Sequence, residues 1–307
     1  MTPAKLNILL AGFPYGGNGA TSSEVPCLRH WFAKVVVAAK KDERVGDIWA
    51  MDFSDTPITM TRNAAVLKAR QLGADVLVMF DSDQKPDMLL GQDPTAKPFF
   101  ESSFDFLYER KQQGKATSIC APYCGAPPER VPFCFTWTTD DPDHPDGHAR
   151  MRLLTREEAA LRMGIHEVPA QPTGLIMFDM DLFEITDPKH EFERMLQAGY
   201  PRQIAQAVTK PWFYYEWPDI YAARKDSTED VTATRDMGLA CINARGYNPL
   251  FCNYDAWAGH WKPECVGKPR PISGDAVNEK YRTAALKGKQ SGERLVHVRA
   301  NGQLVSA

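Results

Sequence analysis

No apolar run in this 307-residue chain approaches the ~20 residues that a membrane-spanning helix needs, so no spanning segment is expected. Net charge is nearly absent as well: 36 Lys and Arg against 39 Asp and Glu leave −3. That balance removes the global basic signature of a nucleic-acid binder and leaves only local patches to consider. The seven cysteines include no Cys-x-x-Cys pair. An odd, scattered set points to a reduced, cytoplasmic compartment rather than a disulfide framework, and Cys120, Cys124 and Cys134 do not have zinc-site spacing. Internal repeats are missing. So are the lysine of a P-loop and the glycine spacing of a dinucleotide fingerprint. The N-terminal MTPAKLNILLAGF has a single lysine and a short apolar run, which suits a first strand better than a secretory signal.

What is present centres on Ala74-Asp75-Val76-Leu77-Val78-Met79-Phe80-Asp81-Ser82-Asp83. The run Val76 to Phe80 is apolar at every position and stops abruptly, the pattern of a parallel strand buried on both faces. Ligands in open α/β sheets bind beyond the carboxyl ends of such strands. Asp81 and Asp83 leave the strand end on one side and can address one hard cation, Mg²⁺ or Mn²⁺, carrying a diphosphate. A polar turn after a strand explains the same tripeptide without any ligand.

Upstream, Leu6 to Ala11 reads as a strand that empties into the glycine-rich Gly12 to Gly19, where Gly12 and Pro14 are candidates for close approach to a nucleotide. Helical periodicity follows over Glu24 to Lys41, a strand over Gly46 to Phe53, and a helix opened by Thr61-Arg62-Asn63 that Gly73 caps. This is the strand–helix rhythm of a nucleotide-binding α/β domain. Arg62, at a helix start beside the strand-end crevice, has the fork that grips phosphate oxygens, although a surface arginine would look the same.

Downstream, a helix spans Phe99 to Gln113 and a strand Ala116 to Ala121. Pro122 to Arg150 is long and proline-rich, and its Asp140 to His148 cluster reads better as a solvated loop than as a metal site. Thr155 and Glu158 form a capping-box pattern. Leu175 to Phe178 is another short strand. The aromatics Trp212 to Trp217 suit a core, with Trp217 the best candidate for a sugar or base platform. Thr228-Glu229-Asp230 starts a helix to about Ala240, where acids favour the helix dipole. His260 is a plausible metal ligand or a structural histidine. The tail from Lys262 onward is basic.

In this order the segments resemble the GT-A glycosyltransferases over roughly residues 6 to 262. The resemblance implies an α/β, Rossmann-like fold with a mostly parallel sheet flanked by helices. It implies a catalytic domain at 1–262, with a nucleotide-sugar half at 1–121 and an acceptor half at 122–262, and leaves 263–307 as a basic extension. Asp81-Ser82-Asp83 is similar to the family's Asp-x-Asp motif, and Gly259-His260 to the late histidine that completes its metal site. Arg62 would face the diphosphate, Thr173 and Gly174 the acceptor, and Glu229-Asp230 would supply the base. The implied cofactor is Mn²⁺ or Mg²⁺ and the donor a nucleotide-diphosphate sugar, UDP-linked by expectation. Acceptors are a glycan or, because phage-encoded DNA-modifying transferases share this fold, a hydroxymethylated base; no obligate protein partner is evident. A nucleotidyltransferase of similar fold and a non-catalytic nucleotide-sugar-binding protein are the competing readings.

Overall fold

The computed structural model describes residues 5–14, 26–54, 57–125, 130–137, 150–216, 228–261, 265–266, 296–298 and 304–305. Its centre is a seven-stranded sheet. In spatial order the strands are β2 (Val45–Asp52), β1 (Leu6–Phe13), β3 (Val76–Asp81), β9 (Leu175–Asp179), β5 (Ser118–Cys120), β10 (Leu250–Asn253) and β8 (Ile165–Glu167). Pairings β1–β2, β1–β3 and β5–β10 are parallel, whereas β9 runs antiparallel between β3 and β5, and β8 is antiparallel at the edge. The expected α/β architecture, a mostly parallel sheet flanked by helices, is therefore the one found.

Side-chain alternation along the strands divides the core in two. Leu9, Ala11, Phe13, Leu77, Met79, Ile176 and Phe178 pack with Ala65, Val66 and Ala69 of α2 (Ile58–Leu72) and with Ala233 and Met237 of α8 (Glu229–Arg245). Ile8, Leu10, Val76, Val78, Phe80 and Met177 face the other way. There they meet Leu28, Trp31 and Phe32 of α1 (Pro26–Ala39) and Phe99, Phe104 and Leu107 of α3 (Phe99–Gln112). Both faces are covered, so β3 has no position for a polar residue before its end; Val76 to Phe80 are fully buried. Each such side chain contributes about 1.5–3 kcal/mol by leaving water. The same parity sends Asp81, in step with Leu77 and Met79, to the α2/α8 side.

Two smaller sheets complete the description. β4 (Gln84–Lys85), β11 (Gly259–Trp261) and β12 (Cys265–Val266) form one; β6 (Phe135–Trp137), β7 (Arg150–Leu153), β13 (Val296–Val298) and β14 (Leu304–Val305) form the other. The short helices α4 (Arg156–Leu161), α5 (Asp181–Ile185), α6 (Pro188–Gln197) and α7 (Arg202–Val208) fill the connections. The capping box at Thr155 and Glu158 closes in both directions at the start of α4.

Three local expectations shift. Helix α2 starts at Ile58, one turn before Thr61, so Arg62 lies inside the helix and is 3% exposed rather than on the surface. Helix α8 continues to Arg245, five residues past Ala240, until Gly246 ends it in a left-handed conformation. Thr228 precedes that helix without a side-chain cap bond; its hydroxyl is turned to the Asp230 carboxylate instead. Among the described residues, no helix is long and apolar enough to cross a membrane. Cys120, Cys124, Cys134, Cys241 and Cys252 are buried and carry no disulfide.

Candidate active site

Beyond the carboxyl end of β3, four chain segments bring charged side chains together. Arg62, from α2, forks between two carboxylates. Its Nη2 donates to Asp81 at 2.9 and 3.1 Å, and its Nη1 donates to Glu229 of α8 at 2.6 Å. The Phe13 ring lies 5.9 Å from the guanidinium carbon. A buried cation needs such partners, because its desolvation is otherwise prohibitive. Burial nevertheless pushes Asp81 up to about 6, with Arg62 opposing the shift and the charges of Asp83 and Asp230 adding to it. Asn63, the next residue, locks the backbone of Phe213 in both directions, donating to its carbonyl at 2.9 Å and accepting from its amide at 3.2 Å.

Asp83 belongs to a second cluster. The short β4–β11 pairing sets His260 opposite Gln84, and His260 Nε2 lies 3.1 Å from Asp83 Oδ2. Its Nδ1 is 2.7 Å from the carbonyl oxygen of Cys124. A carbonyl only accepts, so Nδ1 carries the hydrogen. Nε2 then faces a carboxylate either as an imidazolium donor or as a lone pair that shares a cation with it. Metal-bound histidines regularly donate their other N–H to a carbonyl in this way, and 3.1 Å is close to the ~3 Å between neighbouring ligand atoms with ~2.1 Å bonds to one ion. The donor set therefore fits a hard divalent cation at Asp83 and His260. Asp81 is turned to Arg62, and among the described residues no cluster of three or more His, Cys, Asp or Glu side chains is preformed for a metal.

Tyr123 is the residue that the sequence did not single out. Its ring stands edge-on to His260 at 5.0 Å between centroids, and its phenol is raised first by burial and then by the charges of Asp230 and Asp81. It lies just past the carboxyl end of β5, the strand-end position that marks ligand sites in such sheets; that was the available signal. Gly174 packs beneath it. A Cβ there would come within 2.8 Å of Gln84 Nε2 and 2.9 Å of the Tyr123 ring, and the Gly174 carbonyl accepts from the Asp81 amide at 2.8 Å. Arg62 Nε, Gln84 Oε1 and Thr173 Oγ1 are buried without a protein partner. Orphans of this kind are costly unless a ligand or water meets them.

The remaining candidates separate clearly. Glu229 is buried and committed to Arg62. Asp230 is half-buried, and its contacts from Val231 N–H and the Thr228 hydroxyl both fall on Oδ1. Ser82 is buried with its amide donating to the Phe13 carbonyl at 3.1 Å. Gly12 is a strand residue of β1 whose missing Cβ makes room for the Asp52 carboxylate, which would be 2.7 Å away; packing accounts for it. Pro14 follows β1 and is half-buried. Trp217, the loop from Tyr15, the Asp140 to His148 cluster and most of the basic tail lie outside the described residues.

No family model and no curated protein matches the chain. Among solved structures, A197 from STIV is similar at 10% identity and a TM-score of 0.41, over 88% of this chain and 98% of that one. GalNAc-T7 with UDP, GalNAc and Mn²⁺ is similar at 11% identity and 0.36, over 83% and 44%. An apo UDP-glucose pyrophosphorylase is similar at 11% identity and 0.38, over 92% and 99%. Likeness at this level says nothing about activity.

Proposed function

We propose that the chain is a glycosyltransferase of the hexosyl- or pentosyltransferase class that moves a sugar from a nucleotide-diphosphate donor, a UDP-sugar by preference, to an acceptor hydroxyl. The observation that carries this reading is the paired arrangement at one strand end: Arg62 held between Asp81 and Glu229, beside Asp83 held against His260. Asp83 and His260 would hold Mn²⁺ or Mg²⁺, with diphosphate and water oxygens completing the shell. When bound, that ion offsets the negative charge that develops on the leaving diphosphate.

Arg62 adds fixed positive charge near the same oxygens, and the Asp81 and Glu229 carboxylates keep its fork aimed. Asp81 can also accept from a ribose hydroxyl. Thr173, with its orphaned hydroxyl, and Gly174 floor the site. Asp230 is the general base: it is the helix-start carboxylate that no arginine occupies, and Glu229 is spent on Arg62. A base that activates the incoming hydroxyl implies a single displacement with inversion. The acceptor hydroxyl belongs to a glycan or a hydroxymethylated DNA base. The catalytic domain is assigned to 1–262.

The test is a melting-temperature screen of the full chain with UDP, GDP, CDP and TDP, with and without Mn²⁺. One diphosphate should raise the melting temperature only with metal, and Asp83→Ala should abolish that rise. No metal-dependent shift with any nucleotide would sink the assignment. Asp230→Asn should bind the donor normally yet lose transfer by about 10²–10⁴-fold; an active variant would remove Asp230 from the base role.

A further inference from the structure

A cleft of about 460 Å³ opens between helix α8 and the α6–α7 hairpin. Helix α6 turns Pro188, His190, Glu191 and Arg194 to it, and none of the helix's residues is buried. On α8, Ala233 and Met237 line the cleft. They follow Asp230 at the i+3 and i+7 positions, so all three share one helix face. Asp230 therefore stands one turn, about 5 Å along the axis, from the near edge of the cleft. The opposite wall, Trp212 to Tyr214, is tied to Asn63, the neighbour of Arg62, through Phe213. The cleft is thus fixed relative to both halves of the proposed site.

Its lining says what it suits. The floor is apolar, with Trp212 beside Met237, and the half-exposed Val208 stands at the rim. Both strong cations on the wall are committed: Arg194 pairs with Glu191 at 2.8 Å, and Lys210 sits 4.5 Å over the Tyr214 ring. Carboxylates line both sides: Asp187 at the start of α6, paired with Arg70 at 2.9 Å, and Asp236 on α8, paired with Arg235 at 3.1 Å and accepting from the Tyr214 hydroxyl at 2.8 Å. Acids therefore outnumber cations on the lining. Phosphate oxygens would meet acceptors here, whereas nucleic-acid binding depends on cations that neutralise phosphates. Hydroxyl groups find acceptors, and the C–H faces of a sugar ring find Tyr214 and the apolar floor.

We propose that this cleft binds the acceptor and that the acceptor is an uncharged saccharide whose end reaches Asp230. This rests on the transferase reading for the role of Asp230, but not for saccharide binding itself. Saturation-transfer NMR on the full chain, with neutral gluco-, galacto- and N-acetylglucosamine-type disaccharides and a single-stranded oligodeoxynucleotide as probes, tests it without donor. At least one disaccharide should bind. Val208→Trp, a rim substitution that fills the cleft, should weaken that binding roughly tenfold or more, and Asp236→Asn should weaken it in a chain of unchanged melting temperature. The proposal is overturned if no disaccharide binds, if neither substitution changes the affinity, or if the oligodeoxynucleotide competes for the same cleft. Hydrolysis of a sugar nucleotide by the wild-type chain is measured separately; its absence would remove the transferase reading while disaccharide binding still reports on the cleft.

Discussion

At the scale of single residues, Arg62 and Asp179 show how burial sets the value of a charge. Arg62 neutralises two carboxylates, Asp81 at the end of β3 and Glu229 at the start of α8, that would otherwise repel each other. Arg62→Ala should cost about 3–5 kcal/mol in urea unfolding, because it leaves buried acids without their partner. A loss under about 1 kcal/mol, the scale of a surface pair, would contradict that picture. Asp179 is fully buried at the end of β9, with Lys111 at 2.7 Å on Oδ1 and Oδ2 unpartnered. Burial outweighs Lys111 and pushes its carboxyl up to about 6. A folded-state value above the unfolded one means that folding favours the protonated form. Its stabilising effect is complete below about pH 4 and is lost as pH rises through 6. Asp179→Asn should accordingly be more stable than wild type by roughly 1–3 kcal/mol at pH 7.5. That gap should close between pH 6 and pH 4; parallel melting curves across the range would refute it.

At the scale of elements, the site depends on a strand that runs against its neighbours. Because β9 is antiparallel between β3 and β5, its beginning, not its end, meets the carboxyl ends of those strands. That places Thr173 and Gly174 beside Asp81 and Tyr123. Gly174→Ala must displace Gln84 or the Tyr123 ring, and Tyr123 in turn braces His260. The expected cost is about 1–3 kcal/mol, seen as a lower melting temperature together with weaker Mn²⁺ retention. A variant that melts like wild type and binds Mn²⁺ equally would show that the contact is slack. The extra length of α8 has a related consequence: its first turn carries Glu229 and Asp230, while the following turns carry Ala233 and Met237 into the core and the cleft.

At the scale of the whole molecule, the C-terminal extension is joined to the rest through two described ladders, β12 against β11 and β13 against β7. The seven-stranded sheet and both faces of its core are complete before residue 262. A chain ended after residue 262 should therefore still unfold cooperatively and still show the metal-dependent nucleotide shift. Amide exchange should rise at Met151 and Arg150, which lose their β13 partners, and at His260 and Trp261, which lose β12 but keep β4 on the other side of the strand. Collapse of cooperativity in that shortened chain would mean that the extension is part of the core.

The strands β1, β2, β3, β5 and β9, the helices α1 to α4 and α8, and the charged end of β3 could be read from the sequence because they follow from local rules. The short helices α5 to α7 and the strands of the two small sheets could not. Val76 to Phe80 can only be a strand covered on both faces, Gly73 can only end a helix there at low cost, and the Thr155–Glu158 box is a bond pattern within four residues. Tertiary structure alone decided which acids share a partner. Asp81 and Asp83 are two residues apart, yet one pairs with an arginine nineteen positions upstream and the other with a histidine 177 positions downstream. Neither pairing leaves a trace in the spacing of the chain. The buried state of Arg62, the reversed direction of β9 and the place of Tyr123 likewise depend on which segments meet at the sheet's edge. Those contacts arise from packing between distant segments, which no local sequence pattern encodes.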